Sequence, residues 1–169
     1  MLQKRRFLLY LPLLMASVPH LEASSAADED AAQMRVAEAI RRGEQFAQIG
    51  EYSEAIKEYQ QALEANRSAS LRSPSLAHFR IAEIFFKQNN YMAAANEFRE
   101  ALNGDLRPKW TEVWSYISLG HIFDLTRQRE RAIREYMQAQ RTRDNTQGAM
   151  EEAAKCLKAP YERQKIVTP

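Results

Sequence analysis

The chain has 169 residues, 45% hydrophobic and 27% charged, with five glycines, six prolines and a single cysteine; that is room for one ordinary domain and too apolar for a disordered chain. A mean hydropathy of −0.56 excludes a multi-span membrane protein, and one cysteine excludes an internal disulfide. The formal net charge of +2 resides wholly in residues 1–26, where Lys4, Arg5 and Arg6 stand against Glu22; the rest is formally neutral, so no nucleic-acid partner is expected.

The N-terminus reads as a leader. Lys4 to Arg6 form a basic start, Phe7 to Val18 an uncharged apolar run interrupted by Pro12, and Ala23 to Ala27 a small-residue stretch after Pro19. This is the pattern of a secretory signal peptide over 1–26, cut after Ala23, Ser25 or Ala26. The expectation is an exported protein, periplasmic or secreted. A spanning helix needs about twenty apolar residues, more than this run offers; an uncleaved anchor is the alternative and would be the sole membrane contact. A mitochondrial presequence fits less well, because the apolar residues are contiguous rather than on one helical face. Residues 27–35, with Asp28, Glu29 and Asp30, extend the first helix N-terminally, since acidic residues suit a helix start.

A pattern then recurs three times. Tyr52, Ala55, Tyr59, Ala62 and Leu63 are matched 39 residues on by Tyr91, Ala94, Phe98, Ala101 and Leu102. After a further 38 residues come Arg129, Ala132, Tyr136 and Ala139. Alanine, aromatic and alanine at spacings of four and three share one helical stripe, where small residues admit a neighbouring helix. Each such helix follows another with a small residue and an aromatic: Gly43 with Phe46, Ala82 with Phe85, and Tyr116, Leu119, Gly120 and Phe123.

The last set is very close to W-x₂-L-G-x₂-Y, and from about Val36 to Asp144 the chain resembles the tetratricopeptide-repeat family. The resemblance implies an all-α solenoid, a right-handed superhelix of antiparallel helix pairs. Repeats fall at 36–69, 75–108 and 113–146, with a capping helix at 147–159 and a tail at 160–169. In the cap, Met150, Ala153, Ala154 and Leu157 lie on one side; Pro160 ends it, and Tyr161 is placed to fold back. Ala39 and Arg42 replace large apolar residues, as a solvent-facing first repeat would allow. The turn within each pair carries Gly50, Asn89 or Arg127, and arginine tolerates a left-handed backbone least. Spacings above the usual 34 place insertions at Ser70 to Pro74 and Lys109 to Glu112.

In this family the first helix of each repeat lines a concave groove that takes a protein or peptide partner. The implied groove residues here are Ile40, Arg41, Glu44 and Gln48 from the first repeat. The second contributes Leu76, Phe79, Arg80, Glu83, Phe86 and Lys87, and the third Trp114, Ile117, His121 and Asp124. The carboxylate clamp of chaperone-tail adaptors is not matched: Ile40, Glu44, Arg80, Trp114 and Ser118 stand at its positions. A structural subunit that self-associates through the capping helix or through Trp110 and Trp114, giving a homo-oligomer, is the alternative.

No enzymatic activity, cofactor or metal is predicted. His20, His78 and His121 lack an H-E-x-x-H context, and there is no G-x-S-x-G elbow or phosphate loop. His121 and the distant Cys156 read as a groove or surface histidine and a buried core thiol. Asn66, Arg67 and Ser68 form a glycosylation sequon.

Overall fold

The computed structural model describes residues 19–68 and 74–163, with side chains over 27–67 and 74–163. The apolar run 7–18 and residues 69–73 and 164–169 lie outside the described residues. The helices are α1 (Pro19–Gln48), α2 (Tyr52–Ser68), α3 (Ser75–Lys87), α4 (Tyr91–Asn103), α5 (Trp110–Leu125), α6 (Arg129–Thr142) and α7 (Ala149–Lys158), with a 3-10 turn at Thr146–Gly148. No strand occurs among the described residues. Helices pair as α1/α2, α3/α4 and α5/α6, and α7 closes the stack against α5 and α6. Successive inner helices α1, α3, α5 and α7 also touch one another, whereas α2, α4 and α6 meet chiefly through the inner helix between them. The inner layer is therefore the tighter side of the curve.

The pairs close by one device used three times. The alanines at 55, 62, 94, 101, 132 and 139 and the rings of Tyr59, Phe98 and Tyr136 are all at most 1% exposed. A Cβ at Gly43 would lie 2.5 Å from the Tyr59 ring, and one at Gly120 would likewise overlap Tyr136. Glycine is thus required at these two crossings, where a tyrosine ring of the outer helix lies on the backbone of the inner one. The middle pair has Ala82 and Phe98 at the same spacing, in one core cluster.

The turns repeat as closely. Gly50, Asn89 and Arg127 all have left-handed φ values, 82°, 61° and 61°. In each turn the next residue donates its N–H to a phenylalanine carbonyl: Glu51 to Phe46 at 3.0 Å, Asn90 to Phe85 at 2.9 Å, Gln128 to Phe123 at 2.7 Å. The left-handed residue itself donates to Ala47, Phe86 or Asp124. These are Schellman closures, which satisfy carbonyls the helix would leave unpaired. The unfavourable residue expected at the third turn is held in the same conformation as Gly50.

Several expectations are corrected. Ala39 is 2% exposed and belongs to the core of the first pair; only Arg42 faces outward, bonded to Glu58 at 2.8 Å. Trp110 to Glu112 form the first turn of α5 rather than an insertion, and the joint is the 104–109 segment. Pro74 directly precedes α3, where its missing N–H costs nothing. The α4–α5 joint is tied back to α3: Ser75 donates its N–H to Asp105 at 3.0 Å, and its hydroxyl accepts from the Leu106 N–H at 2.8 Å. On α7 the buried face is Ala149, Ala153 and Cys156 rather than the stripe through Ala154 and Leu157. Asn66 is 6% exposed within α2, so the sequon is not presented to solvent.

Candidate functional site

The inner layer leaves hollows between its helices. One of about 690 Å³ lies between α1 and α3, walled by Val36, Ile40, Arg41 and Leu76 and floored by Arg107 and Pro108 of the α4–α5 joint. A second, of about 320 Å³, lies between α3 and α5, walled by Phe86, Lys87, Trp110 and Trp114. Between them stands Arg80. It donates to Glu44 of α1 at 3.0 and 3.2 Å and to Glu83 of its own helix at 2.9 Å, and lies 5.5 Å from the Trp110 ring centre of α5. One guanidinium thus touches all three inner helices. Burial works against its charge, but Glu83 and Glu44 outweigh that and hold its pKa above the ordinary value.

Ile40, Arg41, Glu44, Gln48, Leu76, Arg80, Glu83, Phe86, Lys87 and Trp114, all expected in the groove, line this face. Four other expected residues do not present an open surface. Phe79 is 4% exposed, edge-on to Phe98 and Trp110 at 5.4 and 5.1 Å, and Ile117 is fully buried beneath α6 and α7. Both belong to packing between pairs, because an inner helix must face the previous pair and the next one as well as the hollow. His121 and Asp124 lie beneath the chain's own C-terminus.

There Tyr161 folds back and stacks on His121, ring centres 3.7 Å apart and planes 15° apart. Its backbone N–H donates to Asp124 at 2.8 Å. Arg163 lies 5.0 Å from the Phe86 ring centre, bonds the Phe86 carbonyl at 2.8 Å and also bonds the Asn89 side chain. The Asp124 carboxylate, fully buried, also takes the Tyr136 hydroxyl at 2.9 Å and Arg129 at 3.0 and 3.1 Å. Arg129 reaches on to the Leu157 carbonyl of α7 at 3.0 Å. One buried acid thereby joins α5, α6 and the tail, while the arginine joins α7.

His121 and Cys156, read from the sequence as unrelated, meet. Cys156 Sγ lies 3.6 Å from His121 Nε2 and 3.4 Å from Glu152 Oε1, and those two are 3.4 Å apart. Burial drives the imidazole pKa down to about 4, against the pull of Glu152 and Asp124. Burial, together with the Glu152 carboxylate, pushes the thiol up to about 11. Burial would also raise Glu152, but the Cys156 hydrogen bond, His121 and Lys155 outweigh it and its pKa falls. Both shifts favour the uncharged forms, a neutral imidazole beside a protonated thiol, which is not an activated nucleophile. The i, i+4 spacing of Glu152 and Cys156 was visible in the sequence; the arrival of His121 from α5 was not.

Residues 41–68, the last eight residues of α1 and all of α2, match the family model of the tetratricopeptide repeat. A crystal structure of MamA is similar in fold, with a TM-score of 0.51 and 17% identity over 81% of this chain and 84% of that one. No curated protein matches the sequence. At that identity the likeness concerns architecture: the fold is a tetratricopeptide-like, all-α solenoid of three helix pairs and a capping helix. No helix among the described residues is long and apolar enough to cross a membrane.

Proposed function

We propose that the chain is a scaffold subunit of a protein assembly, joined to its neighbours through the inner face of α1, α3 and α5. The observation that carries this is Arg80, held between Glu44 and Glu83 beside Trp110, with an apolar-walled hollow on either side. Arginine and tryptophan are the side chains that dominate binding energy at protein interfaces, and a polar centre fixes the register of what docks over it. Ile40, Leu76 and Trp114 would seat apolar side chains of the partner.

The neighbour can be a second copy. Sedimentation velocity across a wide concentration range tests this: a species that grows with concentration, and reverts to monomer on Arg80→Glu, is expected. The second reading, an adaptor for an extended peptide, is favoured by the separation of the two hollows by a charged step, which suits alternating apolar and polar side chains. A photoreactive residue at Leu76 or Trp114, used in cells, distinguishes them: adducts with the chain itself support self-assembly and adducts with another protein support the adaptor. A concentration-independent monomer with no adduct at either position would remove both.

The leader supports export as part of the same proposal. Fractionation of cells and N-terminal sequencing of the mature chain test it; a cytoplasmic chain beginning at Met1 would overturn it.

A further inference from the structure

The His121, Glu152 and Cys156 cluster does not line the hollows of the inner face, and only its Cys156 belongs, with Ala149 and Ala153, to the buried face of α7. Three different donor atoms, an imidazole nitrogen, a carboxylate oxygen and a thiol sulfur, converge from two helices within 4.8 Å. Zinc binds these donors at about 2.3 Å for sulfur and about 2.0–2.2 Å for nitrogen and oxygen. A tetrahedral ion with such bonds spaces its donors about 3.3–3.6 Å apart. The three separations found are 3.6, 3.4 and 3.4 Å. We propose that His121 Nε2, Glu152 Oε1 and Cys156 Sγ form a zinc-binding site that clasps α7 to α5, with water as the fourth ligand.

Three further features fit. The His121 ring is stacked on Tyr161 and lies 6.0 Å from the Tyr136 ring, contacts that hold it with Nε2 3.6 Å from the sulfur. Glu152 Oε2, the oxygen left over, is 3.4 Å from Lys155 Nζ. A surface hollow of about 370 Å³ opens beside Cys156 between Ala159, Tyr161 and Glu162 and gives the ion a way in and the water a place. The donor set, one soft sulfur with nitrogen and oxygen in tetrahedral spacing, suits Zn²⁺ over Mg²⁺ or Ca²⁺, which prefer all-oxygen shells. Binding replaces the Cys156 S–H bond by a zinc–sulfur bond and releases that proton to solvent.

The test uses the full chain stripped with a chelator and dialysed, then titrated with Co²⁺ as a spectroscopic stand-in for Zn²⁺. The expected result is one equivalent bound, with a thiolate-to-cobalt charge-transfer band in the near ultraviolet and the strong visible absorption of four-coordinate cobalt. Zn²⁺ should displace it and raise the melting temperature. Cys156→Ser should abolish the charge-transfer band, and His121→Gln and Glu152→Gln should each weaken Zn²⁺ binding by at least about tenfold, with circular dichroism confirming that each variant is folded. Should Cys156→Ser lose its helix, Glu152→Gln, a change at a partly exposed side chain, decides the same question. Absence of the band in the unaltered chain overturns the proposal, as does a band that His121→Gln and Glu152→Gln leave unchanged, since that would be a lone thiol meeting cobalt.

Discussion

The two ends of the inner layer use charge in opposite ways. Between α1 and α3 the Arg80 cluster stands open, its side chain 30% and those of Glu44 and Glu83 37% and 38% exposed. At the far end Asp124 is fully enclosed and every contact it makes is internal. Open ion pairs are screened and contribute little to folding, so the first cluster is free to exchange partners at small cost. A buried acid that loses its counter-charge leaves an uncompensated group, so the second is committed to closure. The tail makes the same division: Tyr161 and Arg163 cover the C-terminal ends of α3 and α5 and leave the hollows around Leu76 and Trp114 uncovered.

The largest expected effect breaks this contrast directly. Asp124→Ala strands Arg129 and removes the acceptor of the Tyr136 hydroxyl and the Tyr161 N–H, and should cost about 3–5 kcal/mol. Glu44→Ala should cost about 0–1 kcal/mol. Urea unfolding of both, compared at the midpoint, checks it; equal losses would mean that the two clusters are not different in kind. Gly120→Ala comes next. Its Cβ would enter the Tyr136 ring, which is buried and cannot swing away, and the strain should cost about 1–3 kcal/mol. Gly43→Ala should do the same against Tyr59. Tyr136→Leu should rescue Gly120→Ala in a double-mutant cycle.

How much of this was legible follows from the range of the contacts. The meeting of Gly43 with Tyr59, Ala82 with Phe98 and Gly120 with Tyr136 is fixed by one short turn, so a recurring spacing in the chain reports it. The Schellman turns are just as local. The faces that inner helices turn to their neighbours are set by the pitch of the stack, which no single repeat encodes, and this is why Phe79 and Ile117 belong to the core rather than to the groove. Ala39 is misjudged for the related reason that a small residue marks close approach as readily as exposure. The covering of His121 and Asp124 depends on Tyr161, about 40 positions away in sequence from the first and 37 from the second. Pro160 shows only where α7 must end; the stack of Tyr161 on His121 has no periodic signature at all.

Ending the chain after Pro160 is a milder test of the closed end. It removes the Tyr161 stack, the N–H to Asp124 and the Arg163 contact with Phe86. A loss of about 1–2 kcal/mol is expected, from an aromatic contact beyond simple burial and one charge-assisted hydrogen bond. Hydrogen exchange should rise at the C-terminal end of α5 and leave α1 and α2 unchanged. An even rise across all helices would show that the tail stabilises the stack as a whole rather than one end.

The smallest effect expected is a gain. Gly50 and Arg127 occupy the same left-handed position in the first and third turns, with the same pair of backbone hydrogen bonds. A side chain there costs about 1–2 kcal/mol in the folded backbone, whereas glycine costs roughly 0.5–1 kcal/mol more entropy to order. The difference favours glycine, so Arg127→Gly should stabilise by about 0.5–1 kcal/mol and Gly50→Ala should destabilise by a similar amount. No atom lies within 4 Å of a Cβ at Gly50, so the loss there would be conformational rather than steric. Asn89, the middle case, is a residue type that visits this region more readily than arginine, and Asn89→Gly should gain less, provided the Arg163 bond to its side chain is removed in both backgrounds. If Arg127→Gly leaves the melting temperature unchanged, the third turn is stabilised by something other than its backbone, and the Asp124 carbonyl that accepts from Arg127, on the same residue whose carboxylate closes that end, is the place to look.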